Sequence, residues 1–113
     1  MANKPKGIWY TGGPDRVRSY EINKRNLSNI SCFRMIANII NTDTGVCDFI
    51  DDYLYVKKIP SFQIAGESRF AGKTTNCSFN ALISYDTLRI YISGESGKNF
   101  EIHTLIENLT DQI

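Results

Sequence analysis

A mainly β fold with antiparallel strands is what this sequence predicts, and three patterns predict it. Residues 77–83 and 88–92 alternate apolar and polar groups with the period of a strand that buries one face. The apolar runs are short and break at Gly, Pro, Asn or Asp, as strands joined by turns do. Seven to nine such segments fit the chain, which points to an antiparallel β-sandwich or a small barrel.

In chain order, Gly7-Ile8-Trp9-Tyr10-Thr11 reads as a short strand, Gly12 to Asp15 as a turn, and Arg16 to Ile22 as a second strand. Residues 31–40 carry apolar groups on both faces, which predicts a central strand between two layers. A buried helix is the competing reading, because Phe33, Ile36, Ala37 and Ile40 also match a helical period. Asn41 to Gly45 forms a turn, with Gly45 supplying a left-handed residue, and Val46 to Ile50 returns as the hairpin partner. Asp51-Asp52 reads as another turn before the aromatic, β-branched strand Tyr53 to Ile59, which Pro60 stops. Residues 66–75 read as a long exposed loop.

The C-terminal third reads as a three-stranded meander. Cys77, Phe79, Ala81 and Ile83 face one way, Tyr85-Asp86 turns the chain, and Leu88, Ile90 and Ile92 face back. The loop at residues 94–97 has two glycines and leads to Phe100, Ile102, Thr104 and Ile106. Ile102, Leu105, Ile106, Leu109 and Ile113 also sit at helical spacing, which leaves room for a short C-terminal helix after residue 105.

The 113 residues suit one domain spanning 1–113, with 1–15 as a candidate N-terminal arm. A chain of this length holds a core without disulfides. Cys32, Cys47 and Cys77 are odd in number and widely spaced, and His103 is the one histidine. That pattern lacks the paired ligands of a zinc site, so free thiols, no metal and no cofactor are expected. No apolar run could span a bilayer, and the first six residues have no apolar signal core. A cytoplasmic or virion location is therefore expected, with no membrane partner.

Two near-motifs bear on catalysis. Gly66 to Thr74 has five residues between Gly66 and Gly72, one more than the phosphate-cradling loop that ends in Gly-Lys-Ser/Thr. Asp43-Thr44-Gly45 resembles the triplet that presents the catalytic carboxylate in retroviral-type aspartic proteases. That resemblance would imply a dimer sharing one proton between two aspartates. The chain departs from the family in having Asn41-Thr42 where an apolar pair belongs, and it has no later apolar-apolar-Gly segment. A hairpin turn accounts for the three residues.

Charge is unevenly spread. Residues 1–25 hold six basic and two acidic residues, against seven and ten in the remainder. The acids Asp43, Asp48, Asp51 and Asp52 fall close together. A cationic arm and an acidic body are complementary, which predicts a non-enzymatic binding or assembly module. Its partner would be itself, as a homo-oligomer, or another protein. Small structural sandwiches of viral particles or tail fibres are the analogy, by fold and charge pattern only. Trp9, Tyr10, Arg16 and Arg18 are the expected contacts on the arm, with Tyr53 and Tyr55 as a ligand face. A nucleic-acid-binding barrel, with cations on phosphates and rings on bases, is the first alternative. An enzyme whose His103 meets a thiol or carboxylate in space is the second.

Overall fold

The computed structural model describes residues 6–11, 19–73, 77–94 and 98–110. Eight strands run through them: β1 (Lys6–Thr11), β2 (Ser19–Asn23), β3 (Ile30–Asn41), β4 (Cys47–Lys57), β5 (Gln63–Lys73), β6 (Cys77–Ser84), β7 (Thr87–Gly94) and β8 (Phe100–Asn108). One turn of 3-10 helix, Lys24–Asn26, follows β2 and is capped by Asn23, whose side chain accepts from the Arg25 amide.

Every pairing is antiparallel. Five strands form one sheet in the order β1-β8-β3-β4-β5, and three form a second in the order β2-β7-β6. The two sheets share no strand, so the fold is a sandwich and not a closed barrel. The run β8-β3-β4-β5 has the order of a Greek key.

Strand pleating explains where the core sits. Phe33, Met35, Ala37 and Ile39 of β3 are buried, as are Ile50, Leu54 and Val56 of β4 and Phe100, Ile102 and Ile106 of β8. Facing them across the sandwich are Ile22, Cys77, Phe79, Leu88, Ile90 and Ile92, all in the same cluster. Leu88, Ile90 and Ile92 are fully inaccessible, the outcome their period-two spacing predicts.

Residues 31–40 form the expected strand, which sets aside the competing helix, and β8 stays extended to Asn108 in place of a helix beginning after residue 105. Other expectations are corrected. The meander dissolves after β7. That strand pairs with β6 and β2, whereas β8 crosses into the other sheet and lies between β1 and β3. Asp51-Asp52 is no turn, because β4 runs through both residues. Residues 66–73, expected as loop, belong to the edge strand β5. Two register shifts against β4 explain why its alternation is hard to read. The expected turn at residues 12–15 lies outside the described residues. The candidate arm is, over Lys6–Thr11, an edge strand of the chain's own sheet.

Tyr85 and Asp86 join β6 to β7 as a two-residue hairpin, since Ser84 pairs with Thr87. Tight hairpins of this length need positive φ at the first central residue, where Gly or Asn is favoured. Here Tyr85 takes φ 55° while its side chain stays 97% exposed. The ring gains almost no burial to offset the left-handed backbone. Tyr85→Asn is therefore expected to raise stability by about 0.5–1 kcal/mol. Urea unfolding checks this through a higher midpoint at unchanged slope; a midpoint that stays or falls refutes the strain.

Candidate binding face

The outer face of the five-stranded sheet is built by the residues that alternate with the core. From β3 it takes Ile30, Cys32, Arg34, Ile36, Asn38 and Ile40, and from β4 Phe49, Asp51, Tyr53, Tyr55 and Lys57. The β8 strand adds Glu101, His103, Leu105 and Glu107 through its register with β3. No other described strand packs on this face, because the second sheet covers the inner one. The expectation that β3 lies between two layers therefore holds on one side only. Ile36, Ile40 and Leu105 are half-buried among their in-sheet neighbours, and Phe49 and Tyr55 are 47% and 37% exposed.

At its centre Arg34 makes a bidentate contact with Asp51, Nε to Oδ1 at 3.0 Å and Nη2 to Oδ2 at 2.8 Å. The two residues sit diagonally across the β3–β4 ladder, with Ile36 opposite Asp51 and Tyr53 opposite Arg34. The guanidinium also stands 6.0 Å from the Tyr53 ring centroid. The hydrogen bond from Arg34 is the main cause that holds the Asp51 carboxyl below its ordinary range, with partial burial opposing it and the guanidinium charge adding to it.

The outer face of the three-stranded sheet has a different character. Glu21 and Arg89 pair across β2 and β7 at 2.6 Å, and the Asn80 side chain donates to the Ser93 hydroxyl at 3.0 Å. Ser78 and Ser84 continue that polar surface. That face is mostly polar but includes Leu82 and Tyr91 beside Arg89, whereas the five-stranded sheet gathers more aliphatic and aromatic groups around Arg34.

The sequence-derived site residues separate. Tyr53 and Tyr55 lie side by side on the candidate face. Trp9 and Tyr10 stand in β1, in register with Ile102 and Glu101 of β8. Arg16 and Arg18 lie outside the described residues. The four clustered acids are dispersed by the pleat. Asp43 sits in the β3–β4 turn accepting from the Asn99 amide, Asp48 and Asp52 take inward positions, and Asp51 points outward. Among the described residues no group of three or more His, Cys, Asp or Glu could hold a metal ion.

The near-motifs resolve into ordinary backbone. Asn41 Oδ1 accepts from the Asp43 and Thr44 amides, and Gly45 takes φ 77°, so the Asp-Thr-Gly triplet is hairpin-turn chemistry. Gly66 to Lys73 is strand, which cannot wrap successive amides round a phosphate. His103 meets Glu101 at 2.6 Å on the exposed face. It shares an open depression of about 330 Å³ with Cys47 and Asp48. Strand β3 lies between His103 and Cys47, which puts their backbones roughly 10 Å apart. The Cys47 thiol faces the Gly45 carbonyl at 3.6 Å. Cys32 is half-buried and Cys77 buried, and burial, with the Asp48 charge adding, pushes the Cys77 thiol up to about 11.

Sequence reasoning missed Arg34, Asp51, Ile36 and Leu105 as members of a site. For Arg34 and Ile36 the only signal was the double-faced apolar pattern of residues 31–40, whereas Asp51 stood out as one of the clustered acids and Leu105 as part of a helical spacing. No protein-family model matches the chain, and no curated protein does.

The Arg34–Asp51 pair has a definite pH signature. Its side chains are 38% and 16% exposed, so solvent screens the pair to about 0.5–1 kcal/mol. A depressed folded-state carboxyl contributes above its ordinary value of 3.8 and loses that contribution as pH falls through the folded value. Asp51→Asn is expected to be less stable than the parent by that amount near neutral pH. The gap should close in acid below 3.8. Paired urea titrations decide it: a gap that persists in acid assigns the loss to packing instead.

Proposed function

We propose that the protein is a non-enzymatic binding and assembly module that docks the outer face of its five-stranded sheet on a second copy of itself. The observation that carries this reading is the contrast between the two outer faces. Ile36, Ile40, Phe49, Tyr53, Tyr55 and Leu105 gather on the outer face of the five-stranded sheet, while on the outer face of the three-stranded sheet Leu82 and Tyr91 are the large apolar groups among Ser, Thr, Asn, Glu and Arg side chains. Aromatic, aliphatic and arginine side chains are the groups enriched at the centres of protein interfaces.

Size and charge support a two-fold arrangement. Five strands of about ten residues span roughly 24 by 33 Å, close to the ~800 Å² each partner gives to a standard interface. A two-fold contact places the same patch against itself, so that patch must not repel its copy. The neutralised Arg34–Asp51 pair at the centre meets that condition. Small sandwiches used as repeating parts of viral particles or fibres are the setting this reading points to, as an analogy of fold and size.

Native mass spectrometry or light scattering is expected to find a dimer or larger closed oligomer. Leu105→Glu, at the middle of the face, should weaken association by at least about tenfold, or ~1.4 kcal/mol. Its far-ultraviolet spectrum should match the parent's. A parent chain that stays monomeric at high concentration removes the proposal.

A further inference from the structure

A second surface lies at one end of the sandwich, away from the centre of that face. The 3-10 turn after β2, the β4–β5 loop and the β6–β7 hairpin meet there. The Lys24 amide donates to the Asp86 carbonyl at 2.6 Å, Lys58 Nζ to the Lys24 carbonyl at 3.3 Å, and the Lys58 amide to the Asn29 carbonyl at 2.9 Å. Together they frame a polar depression of about 400 Å³ lined by Asn23, Lys24, Arg25, Lys58 and Asp86. Lys57 ends β4 beside it. Four cations thus gather at this end, with Asp86 the one acid lining the depression among the described residues.

Apolar side chains stand around these cations. Ile59, directly after Lys58, is 63% exposed; Ile30, opposite Lys57 in the ladder, is 75% exposed; Tyr85, directly before Asp86, is 97% exposed. Scattered exposed apolar residues are ordinary. Three on adjoining segments of one end, around a cationic depression, are not. Tyr85 adds to this because its turn position favours Gly or Asn, so an aromatic ring stands where folding gives it little support.

We infer that this end of the sandwich docks on an anionic phospholipid surface. The lysines and Arg25 would meet lipid phosphates and carboxylates, while Ile59 and Tyr85 enter the boundary between headgroups and acyl chains. The arrangement selects among anionic partners. A protein interface has a dry apolar centre and a charged rim, and here the cations are central and the apolar groups peripheral. Nucleic acid uses cations and rings, but gives two exposed isoleucines no partner. The sequence reading set membranes aside because no segment spans one, and surface docking by loops does not require a span.

Cosedimentation with vesicles tests this, using three parts phosphatidylcholine to one part phosphatidylserine at low salt, against phosphatidylcholine alone. The protein is expected on the anionic vesicles only, with release on raising salt. The double reversal Arg25→Glu with Lys58→Glu should abolish binding, at roughly fivefold or more per cation reversed. Ile59→Ser with Tyr85→Asn leaves all four cations in place and should still lower binding severalfold. It carries the test should the charge reversal disturb folding, as circular dichroism would show. Absence from anionic vesicles, equal binding to neutral ones, or indifference to both double variants overturns the inference. So does tight binding of a single-stranded oligonucleotide that displaces the vesicles, which would assign this end to nucleic acid.

Discussion

The register of β3 is the constraint on which the rest of the structure depends. It lies between β8 and β4 at the middle of the larger sheet, and its pleat decides which residues meet the second sheet. A slip of one residue would exchange the two faces. Since both faces are apolar in part, hydrophobicity alone specifies this register weakly. Arg34 breaks the tie, because in the inner layer that holds Phe33, Ala37 and Ile39 its guanidinium would lose both solvent and Asp51. The Arg34–Asp51 contact then fixes β4 against β3 on the wet side, as the packed side chains do on the dry side. The ion pair is weak in energy, and its geometry still favours one alignment over its neighbours.

Alternation made the strand content legible. It reports which way a side chain points, and the burial of Leu88, Ile90 and Ile92 against the exposure of Arg89 follows directly. It does not report which strand lies alongside. The glycine-rich segment after β7 carries the same signals whether it closes a hairpin or carries the chain to the other sheet. The meander therefore failed at β8, although β8 is a strand with Phe100, Ile102, Thr104 and Ile106 buried as expected. The two aspartates at 51 and 52 were misleading for a related reason. A strand separates adjacent acids onto opposite faces, which makes the pair far less costly than side-by-side charges in a helix or turn. Edge strand β5 read as loop because an edge tolerates glycine, charge and bulges that a central strand would not.

The site was legible in fragments. Tyr53 and Tyr55 are neighbours on the candidate face, as their spacing required. Trp9 and Tyr10, grouped as contacts on a free arm, belong instead to a strand paired with β8. What no linear reading could supply is the diagonal meeting of Arg34 with Asp51, or the convergence of Lys24, Lys58 and Asp86 from three segments. These depend on register and on loop packing at the end of the sandwich, and neither leaves a periodic trace. Charge counted along the chain was also a poor guide to charge in space: Lys24 and Arg25 line one depression with Lys58, which is distant from them in sequence.

The two proposed surfaces meet only at Ile30 and Lys57, at the rim of the sheet face, and are otherwise separate. Docking through the sheet face buries side chains perpendicular to the sheet and leaves the loop ends free. The orientation of the two-fold axis then matters. An axis parallel to the strands points both cationic ends the same way, so one dimer meets one surface twice. The second contact becomes intramolecular, and weak single contacts add into a firm one without any new interaction. An axis within the interface plane but perpendicular to the strands points the ends apart and bridges two surfaces. The depression offers two lysines and one arginine against Asp86, with Lys57 beside it, and salt screens such a contact. The first geometry doubles it on one surface, which makes the symmetry of the sheet-face contact the feature that decides how firmly this end would attach.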